Sequence, residues 1–487
     1  MKKELRIIFS LLAGLLLALA GAAGTQAQHE WAGNETGANG RHNHNETVFN
    51  DSSSQTDTTD VDDPFKNDPF FNKPFSDFFE NRRGNWTEKD DIKKNLASLH
   101  KSGLDYNADI QNGPYRTNMI YGAFPVLPMF HFNRVDGLFL GIRQERMQWF
   151  DNGWPDIPNL NVHGSIGHSF GRKAWPYSIG VDLMPFGGHR FMIGGEYHQN
   201  SLTTDDYWRT GLLENSLTSL FAGYDYMDYY LVDGAGIYTM FRGERLFEVG
   251  AAFVSDDYSS IGVQSRYSFF GNKSTYRPNP EVSEGNIQSL YLSGSFNPKE
   301  LLLAPRVMFK AEGLVELADL DGMDNEYGYN RYLFESRFSS NLAENTVFEW
   351  RLRSGSLTGD MPLQRMFELG GIGTLRGRDF KAYTGNTMVL NNFQFYFGSP
   401  SYTDGDWIDW DDLRVMFFLD SGWTDMSQKL RDQNNPFEGY GEFSLTNMKH
   451  DIGVGIGSSV LRLELAWPTD RLDETPALWF RFNPLML

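Results

Sequence analysis

From about residue 120 onward the chain alternates apolar and polar side chains at period two. This is the mark of strands with one face in an apolar medium and the other in a polar one. Along Leu461–Trp467 the leucines and Trp467 point one way, while Arg462, Glu464 and Ala466 point the other. Phe348, Trp350 and Leu352 alternate with Glu349, Arg351 and Arg353. Leu413, Val415, Phe417 and Leu419 alternate with Arg414, Met416, Phe418 and Asp420. A soluble sandwich would turn its charged side to bulk water. Here charged faces recur in strand after strand with acids and bases mixed, which fits a polar lumen better, the apolar faces lying towards lipid. Trp149, Trp154, Trp175, Trp208, Trp407, Trp410 and Trp423 fall near strand ends, as interfacial girdles do.

The pattern places fifteen strands, centred on 137–147, 162–170, 177–184, 189–198, 229–242, 244–255, 287–296, 304–315, 331–339, 345–353, 387–398, 412–422, 451–458, 460–467 and 477–483. Bacterial single-chain barrels use even numbers. Phe124–Phe132, joined onward by the turn Asn133–Gly137, supplies the sixteenth. The expected fold is all-β: a transmembrane antiparallel β-barrel of sixteen strands over 120–487, with fourteen as the alternative. Segments 199–228 (with a helix around Tyr207–Phe221), 256–286, 354–386 and 423–450 are long, as outer loops are. Connections 340–344 and 459 are short, whereas 148–161 and 399–411 are long for turns at the opposite end.

The N-terminal quarter has a different texture. Residues 1–27 read as an export signal: Lys2, Lys3 and Arg6, then an apolar Ile7–Ala20, then Thr25-Gln26-Ala27 as a cleavage site. Residues 28–119 form a low-complexity arm rich in Asn, Asp, Thr, Ser and Gly, which is expected to be disordered. A short helix is expected near 87–100, where Ile92, Leu96 and Leu99 share a face. The run DDPFKNDPFFNKPFSDFF at 62–79 offers aromatic anchors, either for a partner or for the protein's own barrel. His29, His42 and His44 also fall in the arm, where solvation is a commoner fate than metal binding.

Composition narrows the function. Hydrophobic residues make up 40%, yet mean hydropathy is −0.45, and beyond the N-terminus no apolar run reaches the roughly 18 residues of a membrane helix. The absence of cysteine excludes a disulfide framework, a thiol nucleophile and a cysteine-type zinc site. A formal charge of −20 argues against nucleic acid as a partner. Gly167-His-Ser-Phe-Gly171 matches a nucleophile elbow, but Trp175-Pro176 follows where that motif needs a helix, so Ser169 is a weak candidate for a barrel hydrolase. No cofactor motif is present, and the chain reads as a non-enzyme.

One stretch carries sharper information. FELGGIGTLRGRDF at 367–380 is a loop with Gly370, Gly371, Gly373 and Gly377 around Leu375 and Arg376, and glycines let a loop lie close against other backbone. FFLDSGW at 417–423 is a strand with Phe418, Asp420 and Gly422 on one face. Arg376 and Asp420 could then meet as a charge-assisted pair. The two motifs resemble the outer-membrane assembly factor superfamily, the bacterial surface antigen barrels that include BamA and TamA. There a (V/L)-R-G-(F/Y) loop folds into the lumen and meets an F-x-D-x-G strand. Arg378 departs from that pattern, standing where the family has an aromatic, with Phe380 two places later.

The resemblance implies a Gram-negative outer-membrane protein that inserts or translocates proteins, or lipids; a passive or gated channel is the alternative. Periplasmic POTRA domains are not expected, because no βααββ pattern precedes residue 120. The implied partners are outer-membrane lipid, client proteins and a periplasmic accessory protein docking on 62–100. The closing seam is expected to be short or irregular. Pro125 and Pro128 stand in the first strand and Pro484 ends the last, and proline has no amide to give the ladder.

Overall fold

The structure is a computed structural model that describes residues 127–144, 160–183, 191–205, 209–243, 246–271, 276–298, 302–304, 306–343, 345–398, 413–431, 435–457 and 461–482. The expected signal, arm and arm helix, and Pro125 and Pro484, lie outside the described residues.

Among the described residues, sixteen strands form a meander in chain order. The first eight are β1 (Leu127–Asn133), β2 (Gly137–Gln144), β3 (Leu160–Ser169), β4 (Tyr177–Leu183), β5 (Phe191–Leu202), β6 (Tyr230–Gly243), β7 (Phe247–Ser260) and β8 (Gly285–Phe296). The rest are β9 (Val307–Leu317), β10 (Tyr329–Ala343), β11 (Thr346–Gly359), β12 (Thr387–Phe397), β13 (Arg414–Asp425), β14 (Lys449–Gly457), β15 (Leu461–Pro468) and β16 (Ala477–Phe482). Each pairs antiparallel with the next, from β1–β2 through β15–β16. A further piece, Leu302–Ala304, adds to the foot of β9.

Period-two patterning decides which face goes where. Phe395, Val415, Phe417, Ile456, Leu463 and Phe480 stand exposed on the outside. Glu335, Arg337, Arg351, Arg353, Asp420 and Glu464 are buried on the inside. A water-soluble fold would invert this; a membrane-spanning barrel requires it, because the hydrocarbon solvates the apolar face. The meander also puts the connections after odd-numbered strands at the end away from Leu127 and Phe482, called here the far end.

Several strands outrun their expected limits. β11 was expected to stop near residue 353 but continues through Ser354-Gly-Ser-Leu-Thr-Gly359, and β7 and β10 likewise run on to Ser260 and begin at Tyr329. At these ends the outward face turns polar, with Ser354, Ser356 and Thr358 on β11, while Leu357, Tyr258 and Tyr329 still point inward, so the pattern changes while the backbone ladder continues. The helix expected over Tyr207–Phe221 is shorter: α1 spans Leu212–Leu217, and a π-helical turn follows at Thr218–Ala222.

Candidate functional site

The β11–β12 connection, residues 360–386, packs against inward-facing side chains of the barrel. Phe367–Leu369 pairs with Tyr383–Gly385 as a two-stranded ribbon. Beyond it the chain turns back on itself: Gly371 N–H donates to Leu375 O (2.9 Å) and Arg378 N–H to the same carbonyl (3.2 Å). Leu375 is fully buried and shares a core with Phe367, Leu369, Met388 and Leu390. Two glycines are there for space. A Cβ on Gly373, which has φ +75°, would fall 2.5 Å from the backbone of Arg209. One on Gly377 would fall 2.7 Å from the backbone of Trp467 and Pro468 on β15. Any other residue at either place would push the loop off the wall. On β13, Gly422 leaves room for Leu369 and Leu375, whose methyl carbons come within 3.0–3.2 Å of where its Cβ would be.

Arg376 is brought to Asp420. Its Nε donates to Asp420 Oδ2 (2.7 Å), its Nη2 to Oδ1 (2.8 Å) and its Nη1 to Glu464 Oε2 on β15 (3.1 Å). The guanidinium lies 3.5 Å from the ring centroid of Phe418, and Asn392 gives Asp420 a further hydrogen bond (2.7 Å). Burial opposes the charge on Arg376, but the two carboxylates outweigh it and raise its pKa. The Arg376 carbonyl accepts from Trp479 Nε1 on β16 (2.8 Å), so one residue ties together β13, β15 and β16.

The Arg378 departure has a local cause. Asp451 on β14 stands directly opposite Asp420 in the β13–β14 register, and both are buried. Two carboxylates side by side need two cations. Arg376 serves the first; Arg378 donates to Asp451 (3.0 Å) and to Asp470 (2.7 Å), while Gly377 N–H also caps Asp451 (2.8 Å). Phe380 lies among cations, 4.6 Å from the Arg277 guanidinium and 5.6 Å from that of Arg209.

Sequence reasoning missed two further anchors of the same loop. Arg365 is buried where the loop enters the barrel. It donates to Glu316 (3.1 Å) and to the hydroxyls of Tyr230, Tyr258, Tyr291 and Tyr329 (2.8–3.4 Å), from β6, β7, β8 and β10. At the other end of the loop Lys381 clasps the β5–β6 connection, reaching Asp205 (2.7 Å), Asp228 (2.6 Å) and Glu368 (2.6 Å). Burial alone would lower the pKa of Lys381, but the three carboxylates raise it. Burial alone would raise Asp228, but Lys381, Arg277 and Arg134 hold it below the usual carboxylate range. A usable signal was present: four tyrosines at inward strand positions, three of them near strand ends, whose hydroxyls need a partner when buried.

The terminal strands meet differently from the others. Among the described residues no backbone ladder joins β16 to β1; α1 from the β5–β6 connection touches both. Glu214 of α1 accepts from Arg481 Nε (2.6 Å), from Arg481 Nη2 (3.0 Å) and from the Phe482 amide (3.2 Å) on β16. Ser216 Oγ accepts from the Phe132 amide on β1 (3.2 Å). Leu138, opposite Phe132, gives its carbonyl to Phe170 on the β3 side, so the Phe132 amide points to the free edge of β1. Side chains of one helix therefore satisfy edge amides of both terminal strands. Pro128 lies within β1, opposite Ile142.

Among the described residues, no carboxylate or imidazole is hydrogen-bonded to the Ser169 hydroxyl. It is buried and donates to the Asp136 carbonyl (3.0 Å), while the Arg172 amide donates to it (3.3 Å), holding the β3–β4 turn.

No family model matches the chain, and no curated protein does. Among solved structures it is similar to BamA from Haemophilus ducreyi lacking POTRA domains 1-3, at 14% identity and a TM-score of 0.42, covering 84% of this chain and 80% of that one. CdiB from Acinetobacter baumannii is similar at 11% identity and 0.37, covering 73% and 58%. CdiB from Escherichia coli is similar at 12% and 0.38, covering 74% and 67%. In its paired loop and strand motifs and its sixteen-strand meander, this chain resembles the BamA-like assembly factor barrels.

Proposed function

We propose that the protein is an outer-membrane barrel that inserts or translocates proteins, with the 360–386 loop as its internal lock. The observation that carries this is the placement of Arg376, buried and shared between Asp420 and Glu464. A loop held by buried ion pairs from both arms is a poor design for a passive pore, because it obstructs the lumen and is costly to displace. It suits a barrel whose wall, not its centre, meets the client. The β16–β1 seam is the natural place, since among the described residues helix side chains, and no backbone ladder, join the two strands. An accessory protein docking on 62–100 supplies the periplasmic contact in this reading.

Depletion in the native cell separates this role from that of a channel. The expected result is loss of other outer-membrane or surface proteins, with uptake of small solutes unchanged. Normal surface proteins with impaired solute uptake would instead make the chain a channel.

A further inference from the structure

The β5–β6 and β7–β8 connections build a lobe at the far end of the barrel, beside the seam. Phe269 and Phe270 amides donate to the carbonyls of Leu220 and Phe221 (2.8 and 2.9 Å), joining the two connections by backbone. Tyr276 fixes them again, its hydroxyl donating to Ser219 O at 2.7 Å. On this scaffold five aromatic rings stand open: Phe221, Tyr224, Tyr267, Phe269 and Phe270, the last 85% exposed. Phe221 stacks on Phe269 (5.3 Å) and on Phe270 (6.2 Å), and Tyr267 meets Phe269 edge-on (5.4 Å). These four linked rings form one continuous patch, not scattered surface residues, and Tyr224 stands open on the same scaffold.

The lobe's position tells what covers it. Phe132 and Phe130 lie on the same, outward face of β1, yet Phe130 is 47% exposed and Phe132 only 4%. The difference is the lobe: the Tyr267 ring packs edge-on against Phe132 (6.4 Å) and Ser216 holds its amide. Ser265 lies just beyond, within 3.4 Å of where a Cβ on Gly137 would sit. The connections therefore fold down over the lipid-facing side of the β1–β2 hairpin, and their aromatic patch continues the barrel's apolar belt. Charge agrees. In a chain of net −20, residues 261–271 carry one charged side chain, the exposed Arg266.

We propose that this lobe is a membrane-interface anchor, its five aromatic rings lying at the headgroup–acyl boundary of the far-end leaflet beside the β16–β1 seam. Phenyl and phenol rings favour that zone, and a lone arginine can reach the phosphates from it. A barrel moored there holds α1 against both terminal strands.

The cysteine-free chain permits a direct test. Phe270→Cys in the full-length protein is labelled with an environment-sensitive fluorophore and placed in proteoliposomes containing phospholipid nitroxides, either near the headgroup or midway down the acyl chain. Asp321→Cys, in the exposed β9–β10 connection, serves as the control. The expected result is a blue-shifted emission at position 270, quenched more by the shallow nitroxide than by the deep one, with position 321 unquenched. Water-like emission at 270 equal to that at 321 would overturn the proposal. A blue shift that neither nitroxide quenches would overturn it too, since a second copy or another protein would then cover the patch.

Discussion

Arg376 answers two buried carboxylates at once, Asp420 on β13 and Glu464 on β15. A third acid lies beside the first. Asp420 and Asp451 come from different strands, and only the β13–β14 register puts them opposite each other. That register accounts for a second arginine at 378, which answers Asp451 as Arg376 answers Asp420. Replacing Arg376 by alanine leaves Asp420 and Glu464 buried beside one cation fewer. A cost of about 3–5 kcal/mol is expected, less where water reaches the lumen. Heat-modifiable gel mobility checks this: the folded form of Arg376→Ala should be lost at a lower temperature than wild type, while an unchanged transition would mean a solvated arginine. Arg365→Met should cost a similar amount, since four tyrosine hydroxyls lose their common donor, and the same assay reads it.

At the scale of elements, strands were easy to find where lipid forces alternation and hard to bound where it does not. The β11 extension over Ser354–Gly359 shows the limit: there the outward face turns polar at Ser354, Ser356 and Thr358, and only the ladder defines the strand. Helix α1 was expected as a helix, but nothing in 199–228 announced that it would stand between the first and last strands. Its role there gives a sharp expectation. Glu214→Gln keeps the shape but weakens the pairing with Arg481, so cysteine pairs across the seam, at Met129 and Phe482 and neighbouring registers, should cross-link more readily than in wild type. Unaltered cross-linking would mean that α1 merely lies beside a closed wall.

The Lys381 clasp sets a pH window at the same scale. A carboxylate with a lowered pKa, such as Asp228, stabilises the fold above its unfolded value and loses that contribution as pH falls through the folded one. An amine with a raised pKa stabilises below its unfolded value and loses it as pH rises through the folded one. The join between the two connections should therefore hold constant from about pH 5 to about pH 10. The temperature of the gel-mobility transition, measured across that range, should vary no more in wild type than in Lys381→Met. A step near neutral pH present only in wild type would assign the clasp to other groups.

For the whole molecule, the barrel could be read from periodicity, the even strand rule and the absence of long apolar runs. The filling of its interior could not, because Arg365, Arg209 and Lys381 are ordinary residues until the fold gathers their partners from six or more strands and loops. Under the proposed function these contacts keep the 360–386 loop inside and the lumen obstructed, as an assembly or translocation barrel requires and a passive channel does not. Ion conductance of the purified full-length protein in planar bilayers tests it most directly. Wild type should stay mostly closed, and the Arg365→Met, Arg376→Ala double variant should show frequent, larger openings. A large, steady conductance in wild type, unchanged in the double variant, would contradict the account.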